Sequence, residues 1–216
     1  MKPFLQPAGR PRVKICGITR ERDARDAIEL GAHALGFNLY PRSKRYVDLK
    51  NEAGWIGALP PHITKVAVMV NPSLAEAGEV FALPYIDMVQ FHGDEDAGFC
   101  AHIAGLGLPF IKAVAVKDDS ALRSLDGYYT RHILLDAWSP DAYGGTGKTI
   151  APEVLRQLAA DADGLQLILA GGLNPDNVRT AIDWARPHAV DVASGVESAP
   201  GLKDRGLMEA FIRAAA

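Results

Sequence analysis

Two titratable side chains close short β-rich runs in this chain: Cys16 ends VKIC, and Asp136 ends HILLD. A carboxylate that finishes an otherwise apolar strand is costly to bury unless it is paired or used. A lone thiol is more ambiguous, because a free cysteine also serves as a small buried hydrophobe. Likewise Asp136 could simply anchor the loop that follows it. Other polar residues stand at comparable places. In VQFHGDED, Gln90 and His92 share a strand face by parity, which puts the histidine at a rim and in reach of a ligand. In YPRSKRYV, Arg42, Lys44 and Arg45 lie beside two tyrosines, and an arginine fork there suits a carboxylate. Lys14 shares a face with Cys16, and Asp191 lies in the last β-rich run. If first and last strands are neighbours, these two charges pair inside a barrel, with Asp191 facing the substrate side.

Two glycine stretches complete the set. LILAGGLNPDNV carries Gly171 and Gly172, and VDVASGVESAPGLKD carries Ser194 and Gly195, followed by Val196 and Glu197, which could open a short helix. Each alone reads as a tight turn. At adjacent strand ends, they read as a phosphate cradle of main-chain amides.

The elements that must hold these residues alternate regularly. β-rich runs fall near 13–18, 34–40, 65–70, 86–92, 109–116, 132–137, 165–170 and 189–194, most of them continuously apolar, as strands covered on both faces are. Helical segments fall near 20–31, 48–59, 73–83, 95–105, 119–125, 151–160, 175–185 and 204–215. Asp48, Ser73 and Asn174 are suitable N-caps, and Pro175 suits a first helical position. Eight such units predict an α/β chain folded as a single (β/α)8 TIM barrel over 13–216, preceded by a flexible leader over 1–12. An open doubly wound sheet would more naturally carry GxGxxG at its first turn, and none is present. Gly144, Gly145 and Gly147 predict a loop that closes over the ligand.

Composition narrows the partners. With 216 residues, 48% of them hydrophobic, and a net charge of -3, there is material for a full core and no basic field for nucleic acid or membrane surfaces. A small-molecule partner is expected. Cys16 and Cys100 lie on different elements without metal spacing, which predicts two reduced thiols and a cytoplasmic setting. The leader lacks an apolar core of signal length, and no run reaches membrane-spanning length. Either a monomer or a homodimer fits.

Taken together, KICGIT, GFNLYPRSKRYV, VQFHGDED, LLDAWSPDAYGGTGKT, LAGGLNPDNV and VDVASGVESAPGLKD resemble the phosphoribosylanthranilate isomerase family of tryptophan biosynthesis. The resemblance covers almost everything after the leader. It implies an Amadori rearrangement of N-(5-phosphoribosyl)anthranilate to the open-chain carboxyphenylamino-deoxyribulose phosphate, with no metal or organic cofactor. It further implies Cys16 as general base, Asp136 as general acid, Arg45 on the anthranilate carboxylate, and the glycine-rich ends of strands seven and eight on the phosphate. Asn38 and Ile150 depart from the family pattern, the first where an apolar residue is expected, the second where an aromatic is usual. Another phosphosugar barrel, such as an epimerase or the aminoaldose isomerase of histidine synthesis, is the competing enzyme; a catalytically silent metabolite-binding barrel is the non-enzyme alternative.

Overall fold

In the computed structural model, residues 4, 9–117, 125, 127–137, 150–161 and 164–216 are described, side chains of 158–161 excepted. Eight parallel strands close into a barrel in sequence order: β1 (Arg12–Cys16), β2 (Ala34–Asn38), β3 (Thr64–Met69), β4 (Met88–Phe91), β5 (Phe110–Val116), β6 (His132–Ala137), β7 (Gln166–Leu169) and β8 (Ala189–Val192). Each strand matches one expected from the apolar runs. Closure depends on β1 pairing with β8, where Lys14 stands directly opposite Asp191.

Helices α1 (Glu21–Glu29), α2 (Ala53–Gly57), α3 (Leu74–Phe81), α4 (Ala97–Gly105), α5 (Pro152–Asp161), α6 (Val178–Ala185) and α7 (Arg205–Ala215) cover the outside. The segment expected to be helical over 119–125 and the glycine loop at 144–147 lie outside the described residues, apart from Leu125. Ser73 caps α3 as expected, in a full capping box with Glu76. Asp48 and Asn174 do not cap helices. Their side chains instead fold turns, accepting from the amides of Lys50 and Asn51 and of Asp176 and Asn177, so α2 and α6 begin several residues later than expected.

Strand alternation sorts the side chains into two layers. Ile15, Leu35, Phe37, Ala67, Ile133, Leu135, Leu167 and Val190 face the helices, while Ala34, Val66, Met88, Ile111, Ala113, Leu134, Ile168, Ala170 and Ala189 fill the interior. Phe4 joins that interior cluster and is only 1% exposed. The leader is therefore not loose throughout: Phe4 is packed into the core, and Arg12 already belongs to β1. Sequence pattern misses this because a lone phenylalanine among prolines has no periodicity to reveal its destination.

Candidate active site

The carboxyl ends of the strands surround a cavity of about 1460 Å³, enough for a ligand of substrate size, lined by Cys16, Arg45, His92, Asp136, Gly171, Gly172, Asp191 and Ser194 among others. The structure thus brings to one mouth residues singled out by strand parity (Cys16, His92, Asp136), by a basic loop (Arg45) and by glycine stretches (Gly171, Gly172, Ser194).

On the β1–β8 side, Lys14 and Cys16 both point inward because they are two residues apart. Room for them comes from Gly36 on β2, where a Cβ would lie 2.6 Å from Cys16 Sγ and 3.1 Å from Lys14 Nζ. Sequence reading passed over Gly36; the signal was its place on the inward face of the neighbouring strand. Lys14 Nζ donates to Asp191 Oδ1 at 2.8 Å, with the lysine fully buried. Burial works to lower the Lys14 pKa, but its partners, Asp191 foremost, more than offset it and hold the ammonium charged. For Cys16, burial and the Asp191 charge push the thiol pKa up, against the weaker opposing pull of Lys14 and Lys203. The resting group is consequently a thiol.

Arg45 reaches the same mouth across Gly17, whose φ of +74° and missing side chain leave space that a Cβ would contest with Arg45 Cδ at 2.4 Å. Its fork is already engaged. Nε and Nη2 donate to the two oxygens of Glu197 at 2.8 and 2.7 Å, an interaction that sequence reading missed. Glu197 also receives Lys203 Nζ at 2.8 Å, and that lysine donates to the Ala193 carbonyl at 3.0 Å. Burial alone would raise the Glu197 pKa, but its two cationic neighbours prevail and lower it. Burial is the main influence on Lys203 and lowers its pKa. The expected helix at Val196 and Glu197 is reduced to one 3-10 turn, Ser194–Val196, after which β9 (Glu197–Ala199) and β10 (Leu202–Lys203) form a small antiparallel ribbon. Extended backbone at Glu197 aims its carboxylate down at Arg45 and Lys203, where a helix would have turned it away.

On the β4–β6 side, His92 Nε2 lies 3.0 Å from Asp136 Oδ2, and Gln90 Nε2 lies 2.8 Å from His92 Nδ1. His92 thus contacts the carboxyl group itself. The loop after it is fixed by Lys112, which donates to Glu95 Oε2 and to the Gly93 carbonyl at 2.8 Å each. At the ends of β7 and β8, Gly171 and Gly172 have φ of +81° and +61°. A Cβ on Gly171 would sit 2.3 Å from Ala137 N, and one on Gly195 would sit 1.9 Å from the Leu173 carbonyl. Only bare backbone fits there. Asn38 accepts from the Tyr40 amide and itself lines the cavity, while Ile150 is buried at 7% exposure. Among the described residues no cluster of three or more His, Cys, Asp or Glu could hold a metal ion, and no helix is long and apolar enough to cross a membrane.

Comparison with known proteins agrees with this geometry. The family model for N-(5'phosphoribosyl)anthranilate (PRA) isomerase matches residues 13–214. N-(5'-phosphoribosyl)anthranilate isomerase of Geobacter sulfurreducens is 48% identical over 204 residues, which span 94% of this chain and 98% of that protein. The crystal structure of phosphoribosyl anthranilate isomerase from Thermotoga maritima superposes with a TM-score of 0.85 at 40% identity, covering 95% of this chain and 98% of that one. A structure of the enzyme in complex with reduced 1-(o-carboxyphenylamino)-1-deoxyribulose 5-phosphate superposes with a TM-score of 0.81 at 39% identity, over 95% and 98% of the two chains. With nearly its whole length matched, the chain belongs to the phosphoribosylanthranilate isomerase family.

Proposed function

We propose that this chain catalyses the Amadori rearrangement of N-(5'-phosphoribosyl)anthranilate to 1-(2-carboxyphenylamino)-1-deoxyribulose 5-phosphate, the isomerisation step of tryptophan biosynthesis, with Asp136 as general acid and Cys16 as general base. The observation that carries the reading is that a thiol and a carboxyl on nearly opposite strands line one cavity whose rim ends in side-chain-free backbone.

Ring opening requires a proton on the furanose oxygen as the carbon–nitrogen double bond forms, and Asp136 supplies it. The resulting iminium acidifies the C2 hydrogen. Cys16, once deprotonated, removes that hydrogen to give an enolamine and returns it to C1. The C2 hydroxyl proton passes to solvent as the ketone forms and Asp136 takes one back, so the cycle consumes no net proton. Lys14 opposes the burial that keeps the thiol protonated, and it carries the charge nearest to the sulfur that can stabilise a thiolate. The phosphate is held by main-chain amides around Gly171, Gly172, Ser194 and Gly195, where backbone can approach closely. Arg45 takes the anthranilate carboxylate through the Nη1 edge, which has no part in the Glu197 pair, while Glu197 and Lys203 keep the guanidinium aimed. His92 and Asp191 border the sugar through their bonds to Asp136 and Lys14. No cofactor enters any of these steps. Reduced cysteines and a small phosphorylated substrate suit a cytoplasmic enzyme.

Anthranilate derivatives fluoresce, so turnover can be followed directly. Wild-type protein should convert the substrate, and Cys16→Ala and Asp136→Asn should each lose most of the rate. Full activity in either variant overturns its assigned role.

A further inference from the structure

Gln90 has no part in the steps above, yet it lies in the barrel interior with 0% exposure, one hydrogen bond below the acid side of the site. Its Nε2 faces His92 Nδ1 at 2.8 Å, and His92 Nε2 faces Asp136 Oδ2 at 3.0 Å. An amide nitrogen only donates, so Nδ1 must accept; the neutral ring then carries its hydrogen on Nε2 and donates it to Asp136. With its hydrogen kept on Nε2 the ring makes Oδ2 the acceptor, and a charged acceptor makes the stronger bond, so this orientation favours the ionised carboxylate. With the amide turned this way, the His92–Asp136 pair is biased one proton short of the acid that ring opening needs. At the other end of the same carboxamide, Oε1 is buried without a hydrogen-bond partner among the described residues. A carbonyl left unpaired in the interior is costly, and it marks the one acceptor within the side chain that a half-turn would bring to His92.

Turning the carboxamide over sets Oε1 against Nδ1. An amide oxygen only accepts, so Nδ1 must then bear a hydrogen, and the pair holds one more proton, shared between Nε2 and Oδ2. We propose that Gln90 is a positioning residue whose carboxamide sets the proton count of the His92–Asp136 pair, nitrogen inward when the pair is empty and oxygen inward when it is ready to donate. The proton enters from solvent at the mouth and leaves on the furanose oxygen, after which the amide turns back. Each orientation makes one hydrogen bond to the ring, so the turn exchanges one bond for another. The charged groups around the ring are Asp136 on β6, Lys112 on β5 with Glu95 after β4, Asp94 and Asp96 at the rim, and the Lys14–Asp191 pair across the interior. Lys112 and Glu95 are paired with each other, as are Lys14 and Asp191.

The inference rests on Asp136 as the acid, and the test separates the two. Nitrogen-15 spectra of the histidine rings, recorded on the free protein across pH, report which ring nitrogen of His92 carries hydrogen. Wild type should show hydrogen on Nε2 alone at alkaline pH and gain it on Nδ1 at one midpoint. Gln90→Glu, which offers only acceptors when ionised, should raise that midpoint by about one pH unit or more, tenfold in proton affinity. Gln90→Met, of similar length, should give a mixture of tautomers. The kinetic pKa that vanishes in Asp136→Asn should move with the midpoint, whereas a merely structural role would lower kcat and leave both in place. An unchanged tautomer and midpoint in folded Gln90→Met overturns the proposal, whether or not the glutamate variant folds. Spectra that shift as stated while Asp136→Asn keeps the wild-type rate would instead fault the choice of acid and leave the role of Gln90 standing.

Discussion

The two ends of the barrel solve opposite problems with the same strands. At the end where strands begin, His33, His132 and His188 all have pKa values lowered chiefly by burial. Two of these rings accept backbone amides through Nδ1, His33 from Val13 and His188 from Leu167, so they work as neutral acceptors. Phe4 adds a buried aromatic ring to the interior packing. Where strands finish, buried charge is denser: Lys14 pairs with Asp191, Lys112 with Glu95, and Glu197 with both Arg45 and Lys203, against the Lys65–Asp87 pair at the end where strands begin. Buried ion pairs contribute little net stability compared with apolar packing. The mouth therefore spends stability on charge, and the floor supplies it by packing. The division is that of a scaffold carrying a reactive face.

That contrast predicts that rate and stability separate along the barrel axis. The largest effect belongs at the mouth: Cys16→Ala or Asp136→Asn should lower kcat/KM by about 10²–10⁴, the usual worth of a positioned acid or base, with little change in the thermal midpoint. Next in size, Phe4→Ala should destabilise the fold by about 3–5 kcal/mol in urea titrations, the range for a buried phenylalanine, while kcat of the folded fraction stays close to wild type. A Phe4→Ala protein with full stability and altered kinetics would reverse the assignment of the two ends.

Titration sharpens the comparison further. The Cys16 pKa is raised above its ordinary 9.0, so alkylation of this thiol in a Cys100→Ala background should be slow at neutral pH and climb on the alkaline side of that value. Asp191→Asn removes one of the charges that raises it and should move the climb to lower pH. The smallest expected effect belongs to the floor histidines. Their folded pKa values lie below the unfolded 6.5, so the unfolded chain binds more protons as pH falls, and stability present above 6.5 is lost on acidification through that value. Urea midpoints at mildly acidic and mildly alkaline pH should show this loss, and His33→Gln should reduce it.

Much of this arrangement was legible in the sequence, for reasons of range. Strand parity is local, so it placed Lys14 with Cys16 and Gln90 with His92, and it anticipated the Lys14–Asp191 pair once eight strands were assumed to close. The glycines at 171 and 195 could be recognised because close approach leaves no other residue type workable, and Gly172 because its φ of +61° favours glycine. Contacts made by loops were not legible. Glu197 meets Arg45 across 152 residues, and nothing in SGVESAPGLKD distinguishes a ribbon that lowers its carboxylate onto an arginine from a helix that points it outward. The same holds for Phe4, whose burial depends on a barrel interior assembled from strands that all come later in the chain.

The Lys14–Asp191 bond joins positions 177 residues apart, across the seam where the last strand meets the first. On the ribosome Lys14 appears long before Asp191, and the ring that shelters both cannot close until β8 has been made. A nascent chain stopped before β8 therefore carries Cys16 and Asp136 without the enclosed interior that sets them around one cavity.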